Sequence, residues 1–131
     1  MTNKKKPITP ANMEKLAENL IDFFSSKDLF HDVCIYVNNQ AWKSDKYMDD
    51  KDLTEAYTAK GNKYYIKKNV DIKAQLEYSN PKTISITFEG PLYHVINYDD
   101  YDFVYKLSNK FLDPYGLYFE QGYAWSMAAY E

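Results

Sequence analysis

The chain of 131 residues contains no arginine, and all 16 of its basic side chains are lysines. Guanidinium is the usual partner for bidentate contacts with phosphates and guanine edges. Its absence counts against sequence-specific DNA reading and phosphoryl transfer, although lysine can still act as a point charge. A genome poor in G and C would also deplete arginine. We do not expect direct binding of nucleic acid.

Other absences exclude further classes. The single cysteine, Cys34, cannot form an internal disulfide, which fits a reducing cytoplasm. The longest uncharged stretches are ten residues each, Val33–Trp42 and Gln121–Tyr130, whereas a membrane-spanning helix needs about 20. The N-terminal lysines are followed by no apolar region, so we expect no signal peptide and a cytoplasmic protein.

No stretch of the sequence matches a catalytic or cofactor motif. The four glycines form neither a nucleophile elbow nor a phosphate-binding loop, and there is no His-Glu-x-x-His. We therefore expect a protein that is not an enzyme and has no cofactor.

Metal binding is not expected either. Asp99, Asp100 and Asp102 lack the spacing and the glycine of a calcium loop. His31, Asp32 and Cys34 lie close together in the sequence, but two histidines and one cysteine in the chain are too few soft ligands for a closed zinc site. Because Cys34 lies within an apolar run, we expect a buried, inert thiol.

The first part of the chain predicts a helix followed by a hairpin. Thr9 and Pro10 are typical of a helix start, and Ser25-Ser26 should end the helix. Its apolar residues recur at spacings of three and four: Met13, Leu16, Ala17, Leu20, Ile21 and Phe24. A strand over Val33–Val37, a turn at Asn38-Asn39 and a second strand over Gln40–Ser44 should follow.

The middle of the chain is polar and less regular. We expect a short helix over about Leu53–Ala59 or an excursion, a turn at Gly61-Asn62, and an exposed strand guarded by lysines over Lys63–Lys68. One or two helical turns should lie within Asp71–Tyr78. In Thr83–Glu89 apolar residues alternate with hydroxyls, which indicates an antiparallel strand with one solvated face.

The C-terminal part predicts a second helix and further strands. Leu92–Asn97 is ambiguous between helix and strand, and a helix should begin at Asp100 or Asp102 and reach about Leu112. Leu117–Tyr130 should form one bent strand or a hairpin at Gly122. The fold class is therefore α+β, a mostly antiparallel sheet with the N-terminal and C-terminal helices on one face. Residues 1–8 should be a flexible basic tail, and residues 9–131 a single domain.

Charge and tyrosine are concentrated near the C-terminus. Residues 83–131 hold 8 of the 14 tyrosines and 7 acidic residues against 2 lysines. Aromatic side chains are enriched at protein interfaces, and an acidic rim would steer a basic partner. The alternative is acids near the positive end of a helix and half-buried tyrosines. The candidate partner-binding residues are Tyr98, Asp99, Asp100, Tyr101, Asp102 and Glu120.

Several C-terminal segments resemble small accessory proteins of phages and conjugative elements of AT-rich bacteria. They are Phe88–Tyr93, Ile96–Tyr98, Tyr115–Glu120 and Ala124-Trp125, together with the strand Ile35–Asn38. The resemblance implies a mobile genetic element, where small inhibitors of host defence nucleases are common. Some such inhibitors imitate DNA, but a net charge of −3 departs from that pattern. We expect a non-enzymatic module that binds a basic, nucleic-acid-handling protein.

Two alternatives stay open. An aromatic pocket around Trp42 and Trp125 could bind a small molecule or peptide. The lysine-rich stretch Lys60–Lys73, with Tyr64, Tyr65 and Tyr78, could contact single-stranded nucleic acid. Self-association through exposed tyrosines or an edge strand is compatible with all three hypotheses.

Overall fold

A computed structural model describes residues 5–45 and 56–131, and for Ala56 the backbone alone. The order of elements confirms the α+β class: one long helix, a seven-stranded antiparallel sheet and short C-terminal helices. The helices are α1 (Pro10–Ser26), α2 (Ile72–Gln75), α3 (Pro91–His94) and α4 (Phe103–Leu107). The strands are β1 (Val33–Val37), β2 (Gln40–Lys43), β3 (Ala56–Ala59), β4 (Asn62–Lys67), β5 (Ile84–Phe88), β6 (Tyr118–Gln121) and β7 (Ser126–Tyr130).

Helix α1 forms as its sequence predicts. The Thr9 hydroxyl accepts a 3.1 Å hydrogen bond from the Asn12 amide, and Pro10 occupies the first helical position. The six apolar residues with helical spacing are the six buried residues of α1. They pack against one side of the sheet, which we call the helix face.

The sheet order is β3-β4-β2-β1-β5-β7-β6, and every neighbouring pair is antiparallel. The β1–β2 hairpin turns at Asn38 and Asn39, both with positive φ, as their sequence predicts. Ile35, Ile86 and Met127 lie in register across three strands and are fully buried on the helix face. The core therefore lies between α1 and the centre of the sheet.

Two predictions for the middle of the chain are wrong. For Leu53–Ala59 a short helix or an excursion is expected, but residues 56–59 form strand β3, which pairs with β4. Residues 53–55 lie outside the described residues. Cross-strand pairing has outweighed the weak helical pattern. The strand expected to be exposed and guarded by lysines is β4, which lies between β3 and β2 inside the sheet.

The prediction that one face of β5 is exposed to solvent is also partly wrong. Ser85 is fully buried and accepts a 3.0 Å hydrogen bond from the Asn80 amide. Thr83 is buried and donates a 2.7 Å bond to the Ala129 carbonyl. The segment 70–80 covers this second side, the outer face of the sheet, where Val70 and Ile72 pack with Ala41.

The ambiguous segment after β5 is helical. Helix α3 continues into a π-helical turn over 95–99, and α4 into another over 108–112, before a 3₁₀ turn at 113–115. Phe103 and Leu107 are buried beside α1, which confirms that the C-terminal helix shares the helix face. Gly116, with φ of 71°, then reverses the chain.

The last segment is a hairpin of β6 and β7 rather than one bent strand.

Near the other end of the chain, the Lys6 amide donates a 2.8 Å hydrogen bond to the Pro114 carbonyl, and Ile8 packs on the core. Residues 5–8 thus contact the rest of the protein, while the flexibility of the predicted tail stays a prediction. No described helix has the length and apolarity needed to span a bilayer.

Candidate functional site

Three exposed tyrosines meet at one groove between α4 and β6. Tyr101, Tyr105 and Tyr118 are 81%, 69% and 47% exposed, and all three line a cavity of about 380 Å³. We call this cavity the tyrosine groove. Among the described residues that line the groove, Asp113 is the one charged residue. Besides Asp113 and the three tyrosines, the lining residues are Val104, Ser108, Asn109, Leu117 and Phe119.

The floor of the groove is fixed by buried contacts. The Ser108 hydroxyl donates a 2.9 Å hydrogen bond to the Val104 carbonyl and accepts one of 2.9 Å from the Phe119 amide. These bonds tie α4 and its π-helical extension to β6. Ser108 therefore holds together the two segments that carry Tyr105 and Tyr118.

The structure separates the predicted binding residues into groups. Tyr101 lies in the tyrosine groove, and the exposed side chain of Asp102 follows it in sequence. Tyr98 lies elsewhere, against Tyr93 and His94, with ring centroids 6.1 and 5.9 Å away. Asp99 is exposed at the end of the π-helical turn that follows α3.

Asp100 belongs to a different cavity. Its carboxylate accepts a 2.9 Å hydrogen bond from the Lys106 ammonium, and both residues line a cavity beside α1. The hydrogen bond to Lys106 lowers the pKa of Asp100 and raises the pKa of Lys106. One charge of the predicted acidic patch is thus paired with a lysine.

Glu120 lies near the tyrosine groove, on the strand that forms one of its walls. It is exposed on β6, two residues after Tyr118 and on the same side of the strand. Tyr130 lies opposite Tyr118, and burial, followed by the charge of Glu120, raises the pKa of Tyr130. Glu120 on β6 and Asp113 on the 3₁₀ turn therefore add negative charge at or beside the groove.

The two tryptophans of the alternative aromatic pocket lie on opposite sides of the sheet. Trp42 is 2% exposed in the core and stacks on Tyr64 at 4.9 Å. Trp125 is 38% exposed and stacks on Tyr123 at 4.8 Å, in a cluster that Tyr78 joins. No single pocket can contain both indoles.

Trp125 does line a cavity of its own, of about 270 Å³ on the outer face of the sheet. Cys34 lines this cavity and is half-buried rather than fully buried. Tyr36 also lines the cavity. Burial is the main cause that raises the pKa of Tyr36, and the neighbouring Cys34 raises it further. We call this the sheet cavity. Its rim carries Asp32, Lys43, Asp45 and Glu89.

The lysine-rich stretch presents few aromatic rings. Tyr64 is buried, Tyr65 is half-buried, and Tyr78 packs against Tyr123. Among residues 5–45 and 56–131, no cluster of three His, Cys, Asp or Glu side chains could hold a metal ion.

Sequence reasoning missed Tyr105 and Tyr118 because they lie thirteen positions apart. Only the path of the chain through α4 and the 3₁₀ turn brings them together. Comparisons of the chain with protein-family models, curated proteins and solved structures found no match.

Proposed function

We propose that this protein is a non-enzymatic binding module whose tyrosine groove takes up a basic segment of another protein. The observation that carries the proposal is the convergence of Tyr101, Tyr105 and Tyr118, all exposed, on one groove with a carboxylate. Exposed aromatic clusters of this kind are typical of binding surfaces.

The chemistry of the groove favours a cationic ligand. Tyrosine rings attract ammonium and guanidinium groups through their π-faces, by about 0.5–1 kcal/mol at an exposed site. Asp113 in the groove and Glu120 beside Tyr118 add Coulombic attraction, and no described lysine lines the groove. A lysine- or arginine-containing segment satisfies both features.

The proposed partner is a protein with a basic surface, such as one that handles nucleic acid in the cytoplasm. A nuclease that cuts foreign DNA is one such protein, and the resemblance to accessory proteins of mobile elements supports this choice. The surface of a nucleic-acid-binding protein is rich in lysine and arginine. The tyrosine groove would compete with nucleic acid for those lysine and arginine side chains.

The direct test uses deca-arginine, deca-lysine and deca-glutamate peptides in calorimetric titrations at low salt. We expect both cationic peptides to bind and to lose binding at 1 M salt, because exposed charges are screened. Any binding of deca-glutamate should occur elsewhere on the protein and should be the same in Y101A/Y105A as in the wild type. Y101A/Y105A should weaken binding about tenfold, which corresponds to about 1.4 kcal/mol from two cation–π contacts.

The matched control is Y78A/Y123A, which removes two exposed tyrosines from the separate cluster beside Trp125. This control should bind as the wild type does. Equal affinities of Y101A/Y105A and wild type, with both proteins folded by circular dichroism, would refute the proposal.

The sheet cavity supports a second candidate, a small-molecule binding module. Its volume of about 270 Å³, its indole wall and a rim of three carboxylates and one lysine favour a small aromatic amine. Phenethylamine should quench the exposed Trp125 more than the buried Trp42, and phenylacetate should not. No quenching by phenethylamine would exclude this candidate.

A further inference from the structure

A third cavity lies on the opposite side of α4 from the tyrosine groove. It has a volume of about 270 Å³ and lies between the C-terminal end of α1 and α4. Phe103 and Leu107, both buried, form its floor, and the half-buried Phe23 forms a wall. The floor and this wall are therefore apolar, and we call the cavity the lysine cavity.

The charge around the lysine cavity is the opposite of the charge of the protein. The charged residues that line it, among those the structure describes, are Lys27, Lys106, Lys110 and Asp100, in a chain with a net charge of −3. Residues 83–131 contain only two lysines, and both of them lie here. Positive charge is therefore concentrated at this cavity.

Two of the three lysines have no carboxylate partner in the described part of the chain. Asp100 pairs with Lys106 at 2.9 Å, whereas Lys27 and Lys110 form no ion pair with any described residue. Their ammonium nitrogens lie 5.2 and 5.1 Å from the centroid of the Phe23 ring. Two unneutralised ammonium groups thus border one aromatic wall.

We infer that the lysine cavity binds a small organic anion with an apolar body, of the arenecarboxylate class. The buried floor and Phe23 would contact the apolar body, while Lys27 and Lys110 would bind the carboxylate. Lysine acts as a compact point charge, which suits a single carboxylate better than an extended phosphate chain. The inference does not depend on the proposed function, because the residues that carry it do not line the tyrosine groove.

The probe is 2-naphthoate, titrated into the ¹⁵N-labelled protein and followed by amide chemical shifts. We expect saturable shifts at Lys27, Phe103 and Lys110. The neutral analogue 2-naphthalenemethanol should bind at least fivefold more weakly, and the cation 2-naphthylmethylammonium should cause no shifts at these three residues.

Charge variants test the lysines directly. K27Q/K110Q should raise the Kd for 2-naphthoate at least fivefold, whereas K27R/K110R, which keeps both charges, should bind within twofold of wild type. The matched control K15Q/K82Q removes two exposed lysines that do not line the cavity and should bind as wild type does.

Asp100→Asn gives an independent result in the opposite direction. It removes the one carboxylate among the described residues that line the cavity and releases Lys106, so the Kd for 2-naphthoate should fall at least twofold. Equal affinity for the acid and the alcohol would overturn the inference. An unchanged Kd in folded K27Q/K110Q would also overturn it and would leave the two lysines as cation–π partners of Phe23 only.

Discussion

The backbone amide of Phe119 donates a 2.9 Å hydrogen bond to the Ser108 hydroxyl. Strand β6 is at the end of the sheet and has one neighbour, β7, so its outer edge would otherwise be unpaired. Ser108, from the π-helical turn after α4, occupies that edge. A helical segment thus covers the edge strand, which protects it from pairing with another chain.

Ser108→Ala should therefore destabilise the protein by about 1–3 kcal/mol, because it leaves the buried Phe119 amide without an acceptor. Chemical denaturation measures the difference in the free energy of unfolding. Ser26→Ala is the control, since the Ser26 hydroxyl bonds to the Phe23 carbonyl at an exposed position. It should cost less than about 0.5 kcal/mol. Equal losses in both variants would contradict the role of Ser108.

The Thr9 hydroxyl caps α1 through the Asn12 amide. Thr9→Ala should lower the free energy of unfolding by about 0.5–2 kcal/mol, because the first turn loses its side-chain acceptor. Thr9→Ser keeps the oxygen and should retain most of the stability. If urea midpoints show the serine variant as unstable as the alanine variant, capping is not the cause.

Two glycines should resist substitution for different reasons. A Cβ at Gly90 would lie 2.7 Å from the His31 carbonyl oxygen, a backbone atom, although Gly90 has an ordinary φ of −91°. Gly61 has open space around it but a φ of +86°. We expect Gly90→Ala to cost about 1–3 kcal/mol through the clash, and Gly61→Ala about 1–2 kcal/mol through backbone strain.

Asparagine separates the two causes, because it tolerates a left-handed backbone better than alanine does. Gly61→Asn should be more stable than Gly61→Ala in thermal unfolding. Gly90→Asn should be no more stable than Gly90→Ala, since any Cβ meets the same carbonyl. The opposite ranking at either position would show that the stated cause is wrong.

His31 and Asp28 form an ion pair of 2.7 Å on the surface. The hydrogen bond to Asp28 raises the pKa of His31 above its ordinary 6.5. A raised pKa stabilises the folded state fully below about pH 6.5, and this contribution is lost as the pH rises through the folded value. An NMR titration of the His31 ring protons should give a pKa above 6.5.

Asp28→Asn should bring the pKa of His31 down towards 6.5, because the neutral amide stabilises imidazolium less. His31→Gln should remove the corresponding loss of stability as the pH rises from mildly acidic to neutral. A His31 pKa that is the same in wild type and Asp28→Asn would exclude the ion pair as the cause.

The long helix and the β1–β2 hairpin could be predicted because their signals are local. Spacing of apolar residues specifies the buried side of α1, and Asn38-Asn39 specifies the turn. Strand β3 could not be predicted, because its partner β4 stabilises it and the sequence of Ala56–Ala59 alone does not. The burial of Ser85 likewise depends on a segment that crosses the outer face.

The candidate site shows the same division. The sequence alone concentrates tyrosine and carboxylates in residues 83–131, because composition is a property of the chain. Tertiary structure decides which of them meet: it brings Tyr101 to Tyr118 and turns Asp100 towards Lys106 on another side of α4. Side chains four positions apart share one side of a helix, but neighbours in sequence point apart. Only the packing of α4 between β6 and α1 assigns the tyrosines to one cavity and the lysines to another.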